Sequence, residues 1–415
     1  MKLSKKSWIE LLLLIIAGEA IFILPFVIPR IFRYTVLDLF EIDNTQLGLC
    51  YSIYGLVAMA SYVLGGPLAD RFPPRKLIAW ALWLTALGGV IYSFYPPLWV
   101  QQIIYGYWGF TTIFLFWAPM IKATRIWGGA KNQGKAFGWL DGGRGLTGAL
   151  FGVLGVALFS SLLLDTAASA PLAERQSAFQ MVIWVANGFI AAIGFFVWFF
   201  LQSGADQEQV LLEKLTLAQI KPVLKLPSVW LLAVIILCAY VGYKVTDITS
   251  LYAKEVMQFD EVKAAGLGTF LMFLRPVAGI GLGLFVDQLH VTKALLISLS
   301  FTLVGAILFA TGILRPNAFV FFIFSVVVLG MGVYASRALY YAVMQKGNIP
   351  LPLTGTAVGV ISLVGYTPDV FVGPITGYFL DNFPGFEGHQ LVFFMLIGFT
   401  LVGLFAGLIF LKKYR

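Results

Sequence analysis

The chain is a succession of apolar runs of the length that an α-helix needs to cross the hydrocarbon core of a bilayer, about twenty residues. Read on that basis, spans fall near 8–30, 45–67, 77–96, 98–121, 136–161, 177–201, 229–252, 264–286, 293–313, 317–344, 354–379 and 390–411. Hydrophobic residues make up 60% of the chain and charged residues 12%, whereas water-soluble folds carry about 25% charged residues. Surface that cannot face water must face lipid, and there every backbone polar group needs a partner inside the protein. The expected fold is therefore all-α and polytopic, with twelve transmembrane helices. The first run begins at Trp8 behind Lys2, Lys5 and Lys6 and continues through Pro25 and Pro29. It is too long for the apolar core of a signal peptide and lacks a small-residue cleavage site, so it is read as a retained helix. Cys50 and Cys238 each sit inside an apolar run and read as small buried hydrophobes. With those two cysteines and only His290 and His389, neither a disulfide framework nor a histidine metal cluster is expected. No cofactor is expected.

Lysine and arginine fix the orientation. With the N-terminus inside, eighteen of the 28 basic residues fall on inner segments and six on outer ones: Arg30, Arg33, Arg175, Lys254, Lys263 and Arg315. Such a bias, with both termini inside, is what the positive-inside rule predicts for an even number of spans. The pI near 9.3 is thus a topology signal, and nucleic acid is not an expected partner. The longest polar stretch, Ser203 to Ser228, lies midway. Within it, Glu208–Lys225 mixes leucines and valine with charges in the manner of a short amphipathic helix on the inner membrane surface. The expected organisation is a six-helix bundle over 1–202, an inner loop over 203–228 and a second six-helix bundle over 229–415.

The two halves carry the same punctuation. Gly66-Pro67-Leu68-Ala69-Asp70-Arg71 follows the second span and Gly283-Leu284-Phe285-Val286-Asp287 the eighth. Asp70 to Asp287 is 217 residues, and Gly138 to Gly359, at matching points of spans five and eleven, is 221. A near-constant offset with six spans on each side indicates duplication about an axis along the membrane normal. On these residues the chain resembles the major facilitator superfamily, whose loop between helices two and three has the form Gly-x-x-x-Asp-Arg followed by Arg-Lys. Here that loop runs from Gly66 through Asp70 and Arg71 to Arg75 and Lys76, with Pro73-Pro74 in place of the usual glycine. The second copy lacks the arginine after Asp287. The resemblance implies a secondary transporter working by alternating access. It also implies that Gly66, Asp70, Arg71, Arg75 and Asp287 latch the bundles on the inner side, with Lys122 or Arg125 as partners of Asp70.

Eight ionisable residues fall within spans: Glu19, Asp141, Arg144, Lys244, Asp247, Arg275, Arg337 and Asp369. Each costs at least about 2.5 kcal/mol facing lipid near the midplane, so each should face protein or water. None lies in spans three, six, nine or twelve, which are peripheral in the superfamily. Asp141 and Arg144, three apart, are expected to neutralise each other, and Lys244 and Asp247 share that spacing. The Gly142-Gly143-Arg144-Gly145 run allows another helix close approach. The repeat sets Lys244 near the depth of Glu19, across the axis. Lys244, Arg275, Arg337 and Glu19 are the candidate substrate-binding residues, with snorkelling to the interface as the competing role for Arg337. Basic residues in spans seven, eight and ten point to an organic anion such as a carboxylate or sugar phosphate. Four bases against four acids give no net charge, so that reading needs some carboxylates protonated or paired. Glu19 and Asp369 lack an opposite charge within four residues on their own helices and are the candidate proton sites; the alternative is that they are buried partners of the arginines. Pro368 before Asp369 predicts a kink. Asp141 and Arg144 are also candidate gating residues.

The expected partners are a small-molecule solute, co-transported protons and membrane lipid, with the monomer as the working unit in a bacterial cytoplasmic membrane. The competing reading within transport is a carrier for a neutral sugar, nucleoside or drug-like solute. A membrane-embedded enzyme or receptor is a weaker reading, because no metal set, activated nucleophile or soluble signalling segment is in view. No Walker-type lysine loop occurs, so ATP-driven transport within this chain is not expected.

Overall fold

The computed structural model describes residues 5–128, 133–163, 170–201, 217–285, 290–344 and 354–414, together with Gly347 and Ile349. Among the described residues twelve helical units follow one another, one on each apolar run. Helix α1 is broken into Lys5–Ala20, a π-helical turn Ile23–Val27 and Ile28–Ile31, bent by 44°. Pro25 and Pro29 lie in that stretch and lack the N–H donors that a straight helix would use. After a short helix Arg33–Leu39 come α2 (Asn44–Arg71) and α3 (Pro74–Tyr92). Helix α4 runs through Leu98–Gly109, a π-helical stretch Phe110–Trp117 and Ala118–Gly128. The first half ends with α5 (Gln133–Ser161) and α6 (Leu172–Phe200).

A short helix Leu217–Leu224 leads into the second half; the rest of the expected amphipathic stretch lies outside the described residues. Helix α7 comprises Pro227–Val245, a 3-10 turn Thr246–Ile248 and Thr249–Glu255. It is followed by α8 (Glu261–Phe285), α9 (Val291–Ala310), α10 (Phe319–Met344), α11 (Thr354–Gly365 and Pro368–Asn382) and α12 (Phe386–Lys413). The expected kink is present: α11 breaks after Gly365 and restarts with Pro368 in its first turn, where a missing N–H costs nothing. Seven of the described helices, plus the bent α1 pair, are long and apolar enough to cross a membrane on length and composition alone.

The apolar core is divided between the halves. One cluster draws on α1 to α6 and takes Ala265 and Met272 from α8; two others, around Val241 and Val229, draw on α7 to α12. Large apolar side chains on α3, α6, α9 and α12 point outward, such as Leu87, Phe199, Phe301 and Phe405. These four helices carry none of the eight charges read within the spans, as a lipid-facing periphery requires. Both cysteines are free and buried.

The bundles meet tightly on the outer half. Gly48 of α2 packs on the backbone of Gly373 of α11, and Gly377 on that of Asn44 and Thr45. The Ser52 hydroxyl donates to the Val370 carbonyl across the same seam. Helices α5 and α8 touch where Gly152 meets Thr269 and Gly145 meets Arg275. One and two turns nearer the inner side, a side chain added at Gly142, Gly138 or, on α8, Gly279 would meet nothing within 4 Å. Helices α5 and α8 therefore diverge inward from Gly145, and the close backbone contacts between the bundles lie on the outer half. A Cβ on Gly48 would overlap the Gly373 carbonyl, so Gly48→Ala should force α2 from α11. A cysteine placed at Ser52 should then react with a membrane-impermeant maleimide added outside, and stay protected when Gly48 is retained.

Candidate functional site

The outer seal is polar as well as close-packed. Asp43 and Gln46 form a reciprocal cap at the start of α2: the Gln46 N–H donates to the Asp43 carboxylate at 2.7 Å and the Asp43 N–H to the Gln46 side chain at 3.1 Å. Asp381, from the end of α11 in the other bundle, takes the free donors beside it. Its carboxylate accepts from the N–H groups of Asn44 and Thr45 at 3.1 and 2.7 Å, and from both their side chains at 3.1 and 2.6 Å. A carboxylate at a helix N-terminus gains from unsatisfied N–H groups and from the helix dipole. Alongside, Arg175 of α6 joins Asp38 at 2.7 Å and Glu261 of α8 at 2.9 Å, and the Thr35 hydroxyl donates to Glu261. Arg33 donates to Asn44 at 3.0 Å.

Below the seal lie two ion-pair groups. In the first, Glu19 of α1 sits between Arg144 of α5 at 3.3 Å and Arg275 of α8 at 3.3 Å. Arg275 also donates to Asp141 of α5 at 2.7 Å. Glu19 and Arg275 are 4% exposed at the side chain, but Asp141 is 43% exposed. A carboxylate that open within a span faces water rather than lipid, so water between the diverging α5 and α8 reaches this group. Asp141 and Arg144 do not pair with each other as their spacing suggested: one turns to Arg275 and the other to Glu19. Glu19 is a shared partner of two arginines, the structural alternative to a free proton site. Arg144 also lies over the rings of Phe22 and Trp117, at 5.4 and 5.6 Å.

In the second group, Lys244 of α7 contacts Asp369 of α11 at 3.2 Å and Asp247 at 3.7 Å, the latter at the expected spacing. Its ammonium rests over Phe26 and Tyr51, at 4.6 and 4.8 Å, where cation–π attraction offsets part of its desolvation. Its carboxylate contacts are thus Asp369 and Asp247, and Glu19 is not among them. Asp369 accepts from the Tyr240 hydroxyl at 3.1 Å and is 14% exposed. Asp247 is held at 2.5 Å by Arg30, whose Nη1 donates to the Tyr243 hydroxyl at 3.0 Å and whose carbonyl accepts from Ser250 at 2.8 Å.

Arg30 is the residue that the charge reading misplaced. Counted with the outer loop, it is in fact 2% exposed and bonded across the bundle interface. Arg30 of α1 and Asp247 of α7 thus pair between the two bundles. With Arg30 included, the membrane-embedded set holds five bases and four acids.

Arg337 is the base left over. Its guanidinium lies 3.8 Å from the centroid of the Tyr243 ring, beside the ring face that Arg30 approaches at 4.5 Å. Among the described residues no carboxylate lies within 4.0 Å of it, and its buried Nη1 has no acceptor. It turns inward onto Tyr243 and does not snorkel. Tyr334, one turn away on α10, is 2% exposed, and its hydroxyl also lacks a partner. The Tyr240, Tyr366 and Tyr62 rings continue the wall, Tyr366 edge-on to Tyr240 at 4.8 Å and stacked with Tyr62 of the other bundle at 6.1 Å.

Of the expected inner latch, Arg71 is exposed and Arg75 partly buried. The surroundings of Gly66, Asp70 and Asp287 lie outside the described residues. Lys122 donates to the Ala69 carbonyl at 2.8 Å, at the inner end of α2. A separate cavity of about 410 Å³ lies at the outer surface, among Tyr34, Asp38, Glu41, Asp43 and Glu255. It is remote from the ion-pair groups.

Comparison with known proteins accounts for this architecture. The family model described as Major Facilitator Superfamily matches residues 11–372. The chain belongs to the major facilitator superfamily. It is accordingly a multi-pass membrane transporter, not an enzyme, with the fold of two pseudo-symmetric six-helix bundles. It is 28% identical to the inner membrane protein YqcE of Escherichia coli, over 99% of this chain and 96% of the relative. To YihN, another inner membrane protein of that organism, it is 25% identical over 99% and 97%. Among solved structures, a mutant form of the nucleoside transporter NupG superposes with a TM-score of 0.73 at 13% identity, covering 98% of this chain and all of that one. A bacterial homologue of the human lysosomal transporter Spinster, inward-facing and unoccupied, gives 0.72 at 16% identity, with 99% of each chain covered.

Proposed function

We propose that this transporter carries a small organic anion across the cytoplasmic membrane of a bacterium by alternating access, coupled to protons. The observation that carries this reading is Arg337: a half-buried guanidinium over the Tyr243 ring, with no carboxylate within reach among the described residues and a buried Nη1 without an acceptor. Leaving a buried cation uncompensated is expensive, and an anionic solute supplies the missing charge together with bidentate acceptors. Tyr334 adds a second unspent donor. Arg275, which the sequence favours over Arg337, is committed to Glu19 and Asp141 and acts through them to hold the bundles in register.

Alternating access follows from where the contacts lie. Binding from the crevice draws Arg337 of one bundle and the Glu19–Arg144 pair of the other towards the solute. Closure on the inner side then requires the outer contacts of Asp381 and Glu261 to part. For proton coupling we choose Asp369 over Glu19. Asp369 has one close cation, Lys244, and a partly exposed carboxylate, so a proton can reach it and release Lys244. Glu19 is enclosed by two guanidiniums.

Both assignments are tested by uptake into proteoliposomes. Arg337→Gln should lower anion uptake by about tenfold to a hundredfold, the value of one charged hydrogen-bonding group. Anion uptake undiminished in that variant removes Arg337 from the site. Asp369→Asn should lose stimulation by an inward proton gradient while retaining counterflow; a stimulation equal to that of the wild type removes Asp369 from coupling.

A further inference from the structure

Resting on the anionic reading above, we propose that the site takes a solute bearing a single negative charge and discriminates against both the neutral and the dianionic molecule of the same shape. Four of the five embedded bases have a carboxylate of their own: Arg30 has Asp247 at 2.5 Å, Lys244 has Asp369 at 3.2 Å, Arg144 has Glu19 at 3.3 Å and Arg275 has Asp141 at 2.7 Å. Glu19 and Asp247 also reach a second base each, Arg275 and Lys244, but by charge the four acids balance these four bases and leave Arg337 over. Arg33, at the outer seal and also 2% exposed, has no carboxylate within 4.0 Å among the described residues and is counted apart from this set; it donates to Asn44, which itself donates to Asp381. Among the described residues the embedded set therefore carries one uncompensated positive charge.

The position of that charge matters as much as the count. Arg337 lies against the Tyr243 ring with its Nη1 buried, so little water is there to screen it. A neutral solute leaves the guanidinium bare. A dianion neutralises it and brings a second buried charge, which can be met only by breaking one of the four pairs. A monoanion closes the balance with every pair intact, and the Tyr334 hydroxyl, 2% exposed and without an acceptor, can donate to its second oxygen. In a partly desolvated site one unmatched charge at about 4 Å is worth several kcal/mol, enough to order the three classes.

The test uses the purified full-length protein in detergent and follows its thermal unfolding midpoint with benzyl alcohol, benzoate and phenyl phosphate. These share one ring and carry no, one and two negative charges at mildly alkaline pH; ionic strength is matched throughout. Benzoate should stabilise at concentrations at least about tenfold lower than either of the others. Arg337→Gln should abolish that preference. Asp369→Asn, which leaves Lys244 without its nearest carboxylate, should move the preference to phenyl phosphate; Asp141→Asn, which releases part of Arg275, should move it the same way if the first variant does not fold. Phenyl phosphate equal to or better than benzoate in the wild type overturns the single-charge proposal and leaves the anionic reading standing. Benzyl alcohol equal to benzoate, or no stabilisation by either anion, overturns both.

Discussion

Glu19→Leu should be among the most destabilising single substitutions in the chain. Glu19 is the only carboxylate within reach of Arg144 among the described residues, and it also bonds Arg275 from the other bundle. Its removal leaves Arg144, 7% exposed at the side chain, as a buried cation without a partner. Breaking such a pair typically costs about 3–5 kcal/mol, most of it the penalty of the stranded charge. Arg275 retains Asp141, which limits the damage on its side. The double variant Glu19→Leu/Arg144→Met should therefore recover much of the loss, because it replaces charge with apolar groups of similar size and strands nothing. Thermal or denaturant unfolding of the purified protein, with gel filtration as a check on folding, reads both effects. A single variant as stable as the wild type, or a double variant worse than the single, contradicts the pairing.

The second large effect is conformational. Asp381 accepts from four donors at the start of α2 in the other bundle, so Asp381→Ala removes a cap that exists only while the outer side is closed. The reciprocal cap of Asp43 and Gln46 stays with its own helix in either state, so the fold should survive. Taking a cap of this kind at about 2 kcal/mol, the equilibrium should move roughly thirtyfold towards an outward-open form. Spin-label distances between the outer ends of α2 and α11 should show a second, longer population in Asp381→Ala. A distribution unchanged from the wild type would show that the glycine contacts alone hold the seal.

Much of this architecture was legible in the residues because it depends on quantities a sequence states directly. Span length located the helices, and the repeat offset pointed to the two-bundle fold. The avoidance of α3, α6, α9 and α12 by buried charge identified the periphery, and Pro368 marked the break in α11. Partners were less legible. Asp141 and Arg144 share a helix face by spacing, but which neighbour each meets depends on the rotation of α5 against α1 and α8, which apolar periodicity does not specify in a helix buried on several sides. Arg30 was misassigned because it stands at a span boundary, where a shift of a few residues moves a charge from loop to core. Asp381 had no sequence signal at all: an acid at the end of a span reads as a solvated loop residue until α2 is placed against it. The inner latch residues Asp70 and Asp287 remain an expectation of the resemblance.

Everything proposed for the cargo depends on an unmatched positive charge facing the crevice. The direct measurement is uptake by wild-type protein in liposomes across matched pairs of singly charged anionic and neutral solutes, such as glucuronate against glucose and a nucleoside 5′-carboxylate against its nucleoside, with and without an inward proton gradient. Accumulation of anionic members, faster with the gradient, with their neutral counterparts left behind, is the predicted result. Accumulation of a sugar or nucleoside while every anion is excluded would contradict the account and assign Arg337 a purely structural place.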